Sequence, residues 1–472
     1  MPIAVRANGQ SRTTTTPAAH REAPSRVRLM ARANARACTA SHFVEVNMPA
    51  SLIRRMSPSV PAALISFWAA VGVPAAASAN VITDWDDKAT VVVTPMSGLG
   101  GGPVPYMAQR IMAMVHAAMF DAVNSIERRY QPYMVQLPAE PGTSKEAAAA
   151  AAAAAVLSTI DTRTATEMKT VLAAYLAPIP DGPAKSEGIK LGEAVAAKCL
   201  AARANDGSDG VDNYRPRTTA GVYVPTAITL ASFWPNVKPF AIASGSQFRP
   251  APPISLESQE WATDFNEIKD LGGQASKART LAQTETARFW LTGTPVAYHP
   301  FVRKLVIAKD MDVVDSARFM TLVAMGLNDA LIAVLDAKYH YNFWRPITAI
   351  RNGDIDGNPA TDRDATWQPI APTPMHPEYP CAHCILSGAV MGVVKAVLGT
   401  TAIPEVATTS PTAPGVTHRW TDLTAFADEV ANARIWAGFH YRFSTRVGTD
   451  MGLQIGDAVV KNVMQPAILS SR

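Results

Sequence analysis

Cysteine is scarce in this chain, with Cys38, Cys199, Cys381 and Cys384 the four present among 472 residues. That excludes a small disulfide-stapled scaffold, and the length allows several domains or one large body with its own core. An excess of one charge is also lacking. Forty-three Lys and Arg stand against 39 Asp and Glu, a formal net charge of +4, with no concentrated run. Composition therefore offers no footprint for nucleic acid or an acidic membrane surface, and any anion affinity must come from a local cluster. Beyond the first 80 residues no apolar run approaches an uninterrupted bilayer span of about 20 residues, so no membrane span is expected in the mature chain. No internal repeat of helical-array length is found either.

The amino-terminal region reads as a leader. Residues 1–47 are rich in Arg, Ala and Thr and read as a disordered or non-native extension. From Met48 a secretory pattern follows: Arg54 and Arg55, an apolar stretch from Val60 to Val73, and the small-residue cleavage site Ala77-Ser78-Ala79 before Asn80. Residues 48–79 are thus expected to be a signal peptide, and the protein to be exported to the periplasm or secreted.

The remainder is dominated by a helical period. Residues 107–127 place Met107, Ile111, Met114, Val115, Ala118, Phe120 and Val123 along one stripe, and Ala147 to Leu157 is an alanine run of high helix propensity. Further helices are predicted at about 164–176, 183–204, 256–270, 278–292, 300–308, 314–337 and 385–398. The expected fold is all-α, helical bundles interrupted by long loops. A Pro-rich segment over 207–253 breaks an amino-terminal helical region at 80–299, and a second irregular segment lies at 352–380 within a carboxy-terminal region at 300–472. Loops of that length in a compact protein are commonly functional covers or packed belts.

Three segments carry chemistry. In the first, Lys338 and Arg345 lie seven apart, two helical turns, and would share a face on a continuing helix, although Pro346 disfavours helix at Arg345. Taken alone this pair also fits two surface cations with snorkelling stems. In the second, Pro377-Glu378-Tyr379-Pro380-Cys381-Ala382-His383-Cys384 runs into an apolar helical stretch. A helix start near Cys381 would leave Ala382 and His383 in a first turn whose free N–H groups can hold an anion. A protonated His383 there would need that anion for compensation; a buried histidine beside a structural cysteine pair is the other reading. In the third, Arg434 and His440 are six apart, with Thr421 and Ser444 as possible helix caps and His440 at the bend between helices. Helix ends often carry both residue types for structural reasons.

Taken together these segments read K-x6-R-P, P-x-x-H and R-x5-H in order, which resembles the vanadium-dependent haloperoxidase and type 2 phosphatidic acid phosphatase superfamily. The wording around them, Phe343-Trp344-Arg345-Pro346 and Gly438-Phe439-His440-Tyr441-Arg442-Phe443, is similar to the soluble haloperoxidase branch. The motifs cover about residues 325–460. The resemblance implies vanadate as cofactor with His440 as the ligand of its vanadium, or, in a phosphatase, His440 as the nucleophile and no cofactor. It implies Lys338, Arg345 and Arg434 on the equatorial oxygens, Ala382 offering its backbone amide, and His383 as acid or base. Halide and peroxide, or a phosphomonoester, would be the small-molecule substrates.

The sequence departs from the family pattern at Cys381, where Ser is usual, and at Ala382, where Gly is usual. A thiol is the weaker donor, which would soften one anion contact, and is oxidisable beside peroxide. Phosphatase members often place an Asp four residues after the last His; here that residue is Ser444. Orientation of His440 is therefore expected from Asp329, Asp336 or a backbone carbonyl. The pair Cys381/Cys384 also supports a rival of another class, an exported redox or metal-binding protein, with His376 and His383 as further zinc ligands.

Overall fold

Apolar residues recur at helical spacing along most of the chain, and the computed structural model, which describes residues 80–94 and 105–467, answers with helices. The leader and extension expected at 1–79 lie outside the described residues. The first helix, α1 (Val81–Val93), was not expected from periodicity; Asn80 caps it, accepting from the Ile82 and Thr83 amides. Then come α2 (Pro105–Glu127), α3 (Lys145–Leu157), α4 (Thr162–Leu176) and α5 (Pro183–Ala202). After the loop-rich stretch follow α6 (Gln259–Gly272), α7 (Leu281–Phe289), α8 (His299–Ala308) and α9 (Val313–Tyr341). The last are α10 (Pro346–Arg351), α11 (Ala382–Leu398), α12 (Leu423–Trp436) and α13 (Arg442–Asn462).

Sequence periodicity missed one hairpin. Strands β1 (Ala402–Ser410) and β2 (Ala413–Asp422) pair antiparallel. Their Thr and Val content suits strands, although Pro404 and Pro414 interrupt it. The cap of α12 also shifts, from the expected Thr421 to Asp422, whose carboxylate accepts from Thr424 and Ala425. Likewise α13 begins at Arg442, after Tyr441, so Ser444 lies inside the helix and caps nothing.

A continuous hydrophobic core runs from α1 to α13. At its centre is α9, the one described helix long and apolar enough to cross a membrane, yet nine-tenths of that stretch is buried inside the fold. Polar residues such as Asp329 are carried into the interior because they hold neighbouring chain.

That neighbouring chain is the Pro-rich loop. Asp329 accepts from the amides of Phe240, Ala241 and Ile242 at 2.7, 2.7 and 3.1 Å. Asp336 forms a two-pronged ion pair with Arg249 at 2.8 and 2.9 Å. The proline-rich stretch cannot satisfy its own amides in a helix, so α9 satisfies them. The loop is a packed belt, and both acids serve it.

Close approach of α11 and α13 fixes the other half. A Cβ on Gly388 would meet the Thr449 carbonyl at 2.3 Å, and one on Gly452 would meet the Ile385 carbonyl at 2.2 Å. Only glycine permits this backbone contact, which sets the start of α11 beside that of α13.

Candidate oxyanion site

Helix α9 ends at Tyr341 because Asn342 adopts a left-handed cap, φ 53°. Arg345 then becomes the residue before α10, with Pro346 as its first helical position. Both cations turn inward: Lys338 and Arg345 are fully buried, against the surface-pair reading. Lys338 Nζ donates to the carbonyls of Pro377 and Glu378 at 3.0 and 2.6 Å. Arg345 Nε donates to the His376 carbonyl at 2.9 Å, and its Nη1 to the Phe439 carbonyl at 3.0 Å. These bonds draw the irregular 352–380 stretch over the helix end.

At the start of α11, Cys381 is the N-cap and its sulfur accepts from the Cys384 amide at 3.2 Å. Ala382 and His383 fall in the first turn, whose amides have no intrahelical carbonyl to bond. His383 Nε2 lies 3.0 Å from the Thr292 carbonyl, which can only accept, so the proton sits on Nε2 and Nδ1 carries the lone pair. Tyr298 donates to the His383 carbonyl at 3.0 Å, fixing the turn. Cys381 and Cys384 form a disulfide. Cys381 therefore has no thiol hydrogen to offer an anion, which corrects the expectation that it would be a weakened donor in place of serine.

The bend after α12 depends on Gly438 at φ 79°, where a Cβ would also meet the Gly272 carbonyl at 2.5 Å. It delivers Phe439 and His440 into the interior. Arg434, near the end of α12, donates to the Trp290 carbonyl at 2.6 Å and lies over the Phe439 ring at 4.8 Å. Its Nε is buried with no hydrogen-bond partner among the described residues.

His440 is oriented by a residue that sequence reasoning passed over. Its Nδ1 lies 2.8 Å from Glu378 Oε1, which also accepts from the Tyr441 amide at 3.2 Å. Arg345 Nη1, always a donor, lies 3.2 Å from His440 Nε2. The tautomer follows: Nδ1–H donates to the carboxylate and Nε2 presents its lone pair. Asp329 and Asp336, expected for this task, hold the belt instead. Ser444 offers its carbonyl to the Cys381 amide at 3.2 Å, and its hydroxyl acts on Glu378, lowering that carboxyl's pKa. The signal for Glu378 was available, an acid flanked by two prolines between the first and second cationic motifs.

His376 was considered only as a zinc ligand. Its Nδ1 lies 3.0 Å from Arg345 Nη2 and 3.3 Å from the Pro377 carbonyl. The shorter contact, to a permanent donor, leaves the proton of neutral His376 on Nε2. A third imidazole thus joins the site.

Electrostatics confirm the crowding of positive charge. Burial pushes Lys338 well below its usual range, with Arg345 and Arg434 adding to the effect. Arg434 is pushed down to about 9 by burial and by Arg345. Burial first, then the surrounding cations, hold His376, His383 and His440 well below the ordinary histidine value. Glu378 is raised to about 7 by burial, against the pull of Lys338 and Arg345. Ala382, His376, His383, Arg434 and His440 line one cavity of about 230 Å³.

Each buried ion costs several kcal/mol of desolvation unless compensated. Three cations share this site with one carboxylate, and an anion would compensate the excess positive charge. A tetrahedral oxyanion fits the donor set: the unpartnered Arg434 Nε, the remaining Lys338 hydrogen, the first-turn amides of α11 and the Nε2 lone pair of His440.

Residues 318–467 match the family model of the vanadium chloroperoxidase second helical-bundle domain. The chain is 31% identical over 152 residues to the vanadium chloroperoxidase of Curvularia inaequalis, covering 26% of this chain and 24% of that relative. In fold it is similar to a bacterial vanadium-dependent iodoperoxidase, with a TM-score of 0.70 at 21% identity, over 83% of this chain and 98% of that one. A holo-type bacterial vanadium-dependent chloroperoxidase gives 0.63 at 18% identity, over 81% and 97% of the two chains. With the helical fold and the three motifs in their expected order, this chain is similar to the vanadium-dependent haloperoxidases, in sequence over the second helical-bundle domain at residues 318–467 and in fold over most of its length.

Proposed function

We propose that this protein is a vanadium-dependent haloperoxidase-like enzyme that uses peroxide to oxidise halide. The observation that carries the reading is the uncompensated positive charge of Lys338, Arg345 and Arg434 around the lone pair of His440. His440 Nε2 would hold the vanadium of vanadate, with Glu378 on Nδ1 fixing the ring and raising its basicity, as carboxylates behind ligating histidines do. Lys338, Arg345, Arg434 and the Ala382 amide would neutralise the oxygens. Bound vanadate supplies the Lewis-acidic centre at which peroxide becomes able to oxidise halide.

The protein's own part is protonic and electrostatic. His383, with Nδ1 free, can take a proton from incoming peroxide and return it to the departing oxygen as water. Arg345 gives up its bond to His440 Nε2 when that lone pair is used, and turns to the oxyanion instead. His376 offers an N–H from the same cavity.

A soluble acid phosphatase is the second reading, and the His440–Glu378 pair favours it on its own terms. A fixed tautomer with an exposed Nε2 lone pair is also what a phosphohistidine nucleophile requires. The cysteine rival has less support. Both sulfurs are buried in one disulfide, so thiol exchange lacks access, and a disulfide sulfur is no zinc thiolate.

Purified protein given orthovanadate, peroxide and iodide should form triiodide, while aryl phosphate hydrolysis without vanadate stays slow. Hydrolysis without triiodide formation would shift the assignment to the phosphatase. Neither activity, with no vanadate binding by calorimetry, would sink both.

We also propose that the protein is exported, with maturation before Asn80. Asn80 is already tied in, donating to the Met311 carbonyl and Ser316 Oγ, so cleavage there would leave α1 anchored. Amino-terminal sequencing of the exported protein checks the site.

A further inference from the structure

The cavity beside the cationic cluster has walls that halide oxidation does not require. Arg434 and the three histidines, with Tyr106 and Thr294, form its polar part. The remainder is largely apolar: Leu331, Val334 and Leu335 stand one helical turn apart on α9, joined by Leu386 of α11 and by Leu230 and Leu291 from loops. Among the described residues no carboxylate lines it. Halide and peroxide are small and strongly hydrated, and gain nothing from an apolar wall. An organic molecule does gain, in proportion to the apolar surface it removes from water. A volume of about 230 Å³ falls below the range of about 300–1,000 Å³ typical of drug-sized ligands, which limits the guest to one or two rings.

We propose that this chamber binds a neutral, apolar organic acceptor of one or two rings beside the oxyanion, and that the oxidised halogen is delivered to it inside the protein. The inference rests on the haloperoxidase reading and names its organic substrate class. The balance is an organic C–H compound, halide, hydrogen peroxide and one proton giving the C–halogen product and two waters. The C–H and O–O bonds break, halide gives two electrons to peroxide, and the hydrogen lost from carbon ends in water. Leu230 and Leu291, each half-buried, set the reach of the chamber without forming the oxyanion cage.

The test uses the vanadate-loaded full chain with 1-naphthol as probe. Calorimetry should show naphthol binding. Bromination by bromide and peroxide should give a ratio of ring isomers different from that of reagent hypobromous acid in the same buffer. Leu230→Trp and Leu291→Trp, two separate positions in case one variant fails to fold, should each weaken naphthol binding about tenfold, a change of about 1.4 kcal/mol. They should also move the isomer ratio toward that of the free reagent. Absence of naphthol binding, a wild-type ratio equal to the reagent's, or folded tryptophan variants that bind like wild type would overturn the proposal. If bromide is not oxidised at all, the haloperoxidase reading falls; naphthol binding that the tryptophan variants lose would still uphold the chamber, and binding they leave unchanged would overturn it.

Discussion

Two buried charge clusters in this protein use the same residue types to opposite ends. Around Asp86, His116 Nε2 and His299 Nδ1 approach one carboxylate oxygen at 2.8 and 2.6 Å, and Arg303 takes the other at 2.6 Å. The three side chains Asp86, His116 and His299 are close enough to hold a metal ion. Yet both carboxylate oxygens are already engaged by donors, and Arg303 balances the charge. The cluster staples α1 to α2 and α8. Around His440 the count is unbalanced, with three cations, one carboxylate of raised pKa and an unpartnered guanidinium nitrogen. Balance suits a structural cluster; a deficit of negative charge beside a cavity suits the anion site proposed above.

Breaking the first cluster should cost stability and leave anion chemistry alone. Asp86→Ala strips the partner from Arg303 and two histidines, and should destabilise by about 3–5 kcal/mol, the cost of an uncompensated buried ion. Denaturant unfolding measures it, and calorimetry on the folded fraction should show unchanged vanadate affinity.

Breaking the second should do the reverse. Arg434→Ala removes the guanidinium with the free nitrogen and should lower turnover by about 10²–10³-fold, as loss of one oxyanion donor does. Weakened vanadate binding by calorimetry would accompany it, whereas an unchanged value would place the anion elsewhere. Glu378→Ala should follow with a loss of about 10–100-fold in vanadate affinity or activity. Glu378→Gln should recover part of it, because the amide oxygen can still accept from Nδ1. Equal losses in both variants would mean that Glu378 acts only by packing.

Acidification should sharpen the contrast. Burial depresses the pKa of His116, His376, His383 and His440. Each is neutral when folded but titrates near 6.5 when unfolded. Their stabilising contribution is thus full above about 6.5 and is lost as pH falls through the folded values. Glu378, raised to about 7, works in the opposite sense and partly offsets this loss. Tm should fall between neutral and mildly acidic pH, and less steeply with vanadate, since an anion lets the site histidines accept protons. A slope indifferent to vanadate would assign the pH dependence to His116 and the first cluster. The smallest effect is expected from His376→Phe, which loses one hydrogen bond and should alter activity by about tenfold or less.

Much of the site could be read from spacing. Lys338, Arg345, His383, Arg434 and His440 sit in local patterns whose order is itself specific, and each pattern coincides with a helix end. The residues that orient them were not legible in the same way. Glu378 and His376 lie in an irregular loop without periodicity, and although Pro377 and Pro380 set Glu378 apart from the Asp residues of the same stretch, nothing local says which imidazole it meets. Asp329 and Asp336 looked suitable because they share a helix with Lys338. The structure shows them facing a belt about 90 residues earlier in the chain, where proline leaves amides to satisfy.

The sequence alone determined the helices, through apolar residues at a 3.6-residue period, and the cationic motifs, through short spacings that hold wherever a helix forms. Tertiary structure decided which acid pairs with which imidazole, that Cys381 is cross-linked, and that three cations converge with too little negative charge between them. Apart from the Cys381–Cys384 bond, those are contacts between residues far apart in the chain, set by which helices glycine lets approach and which loops α9 can hold, and no local pattern encodes them.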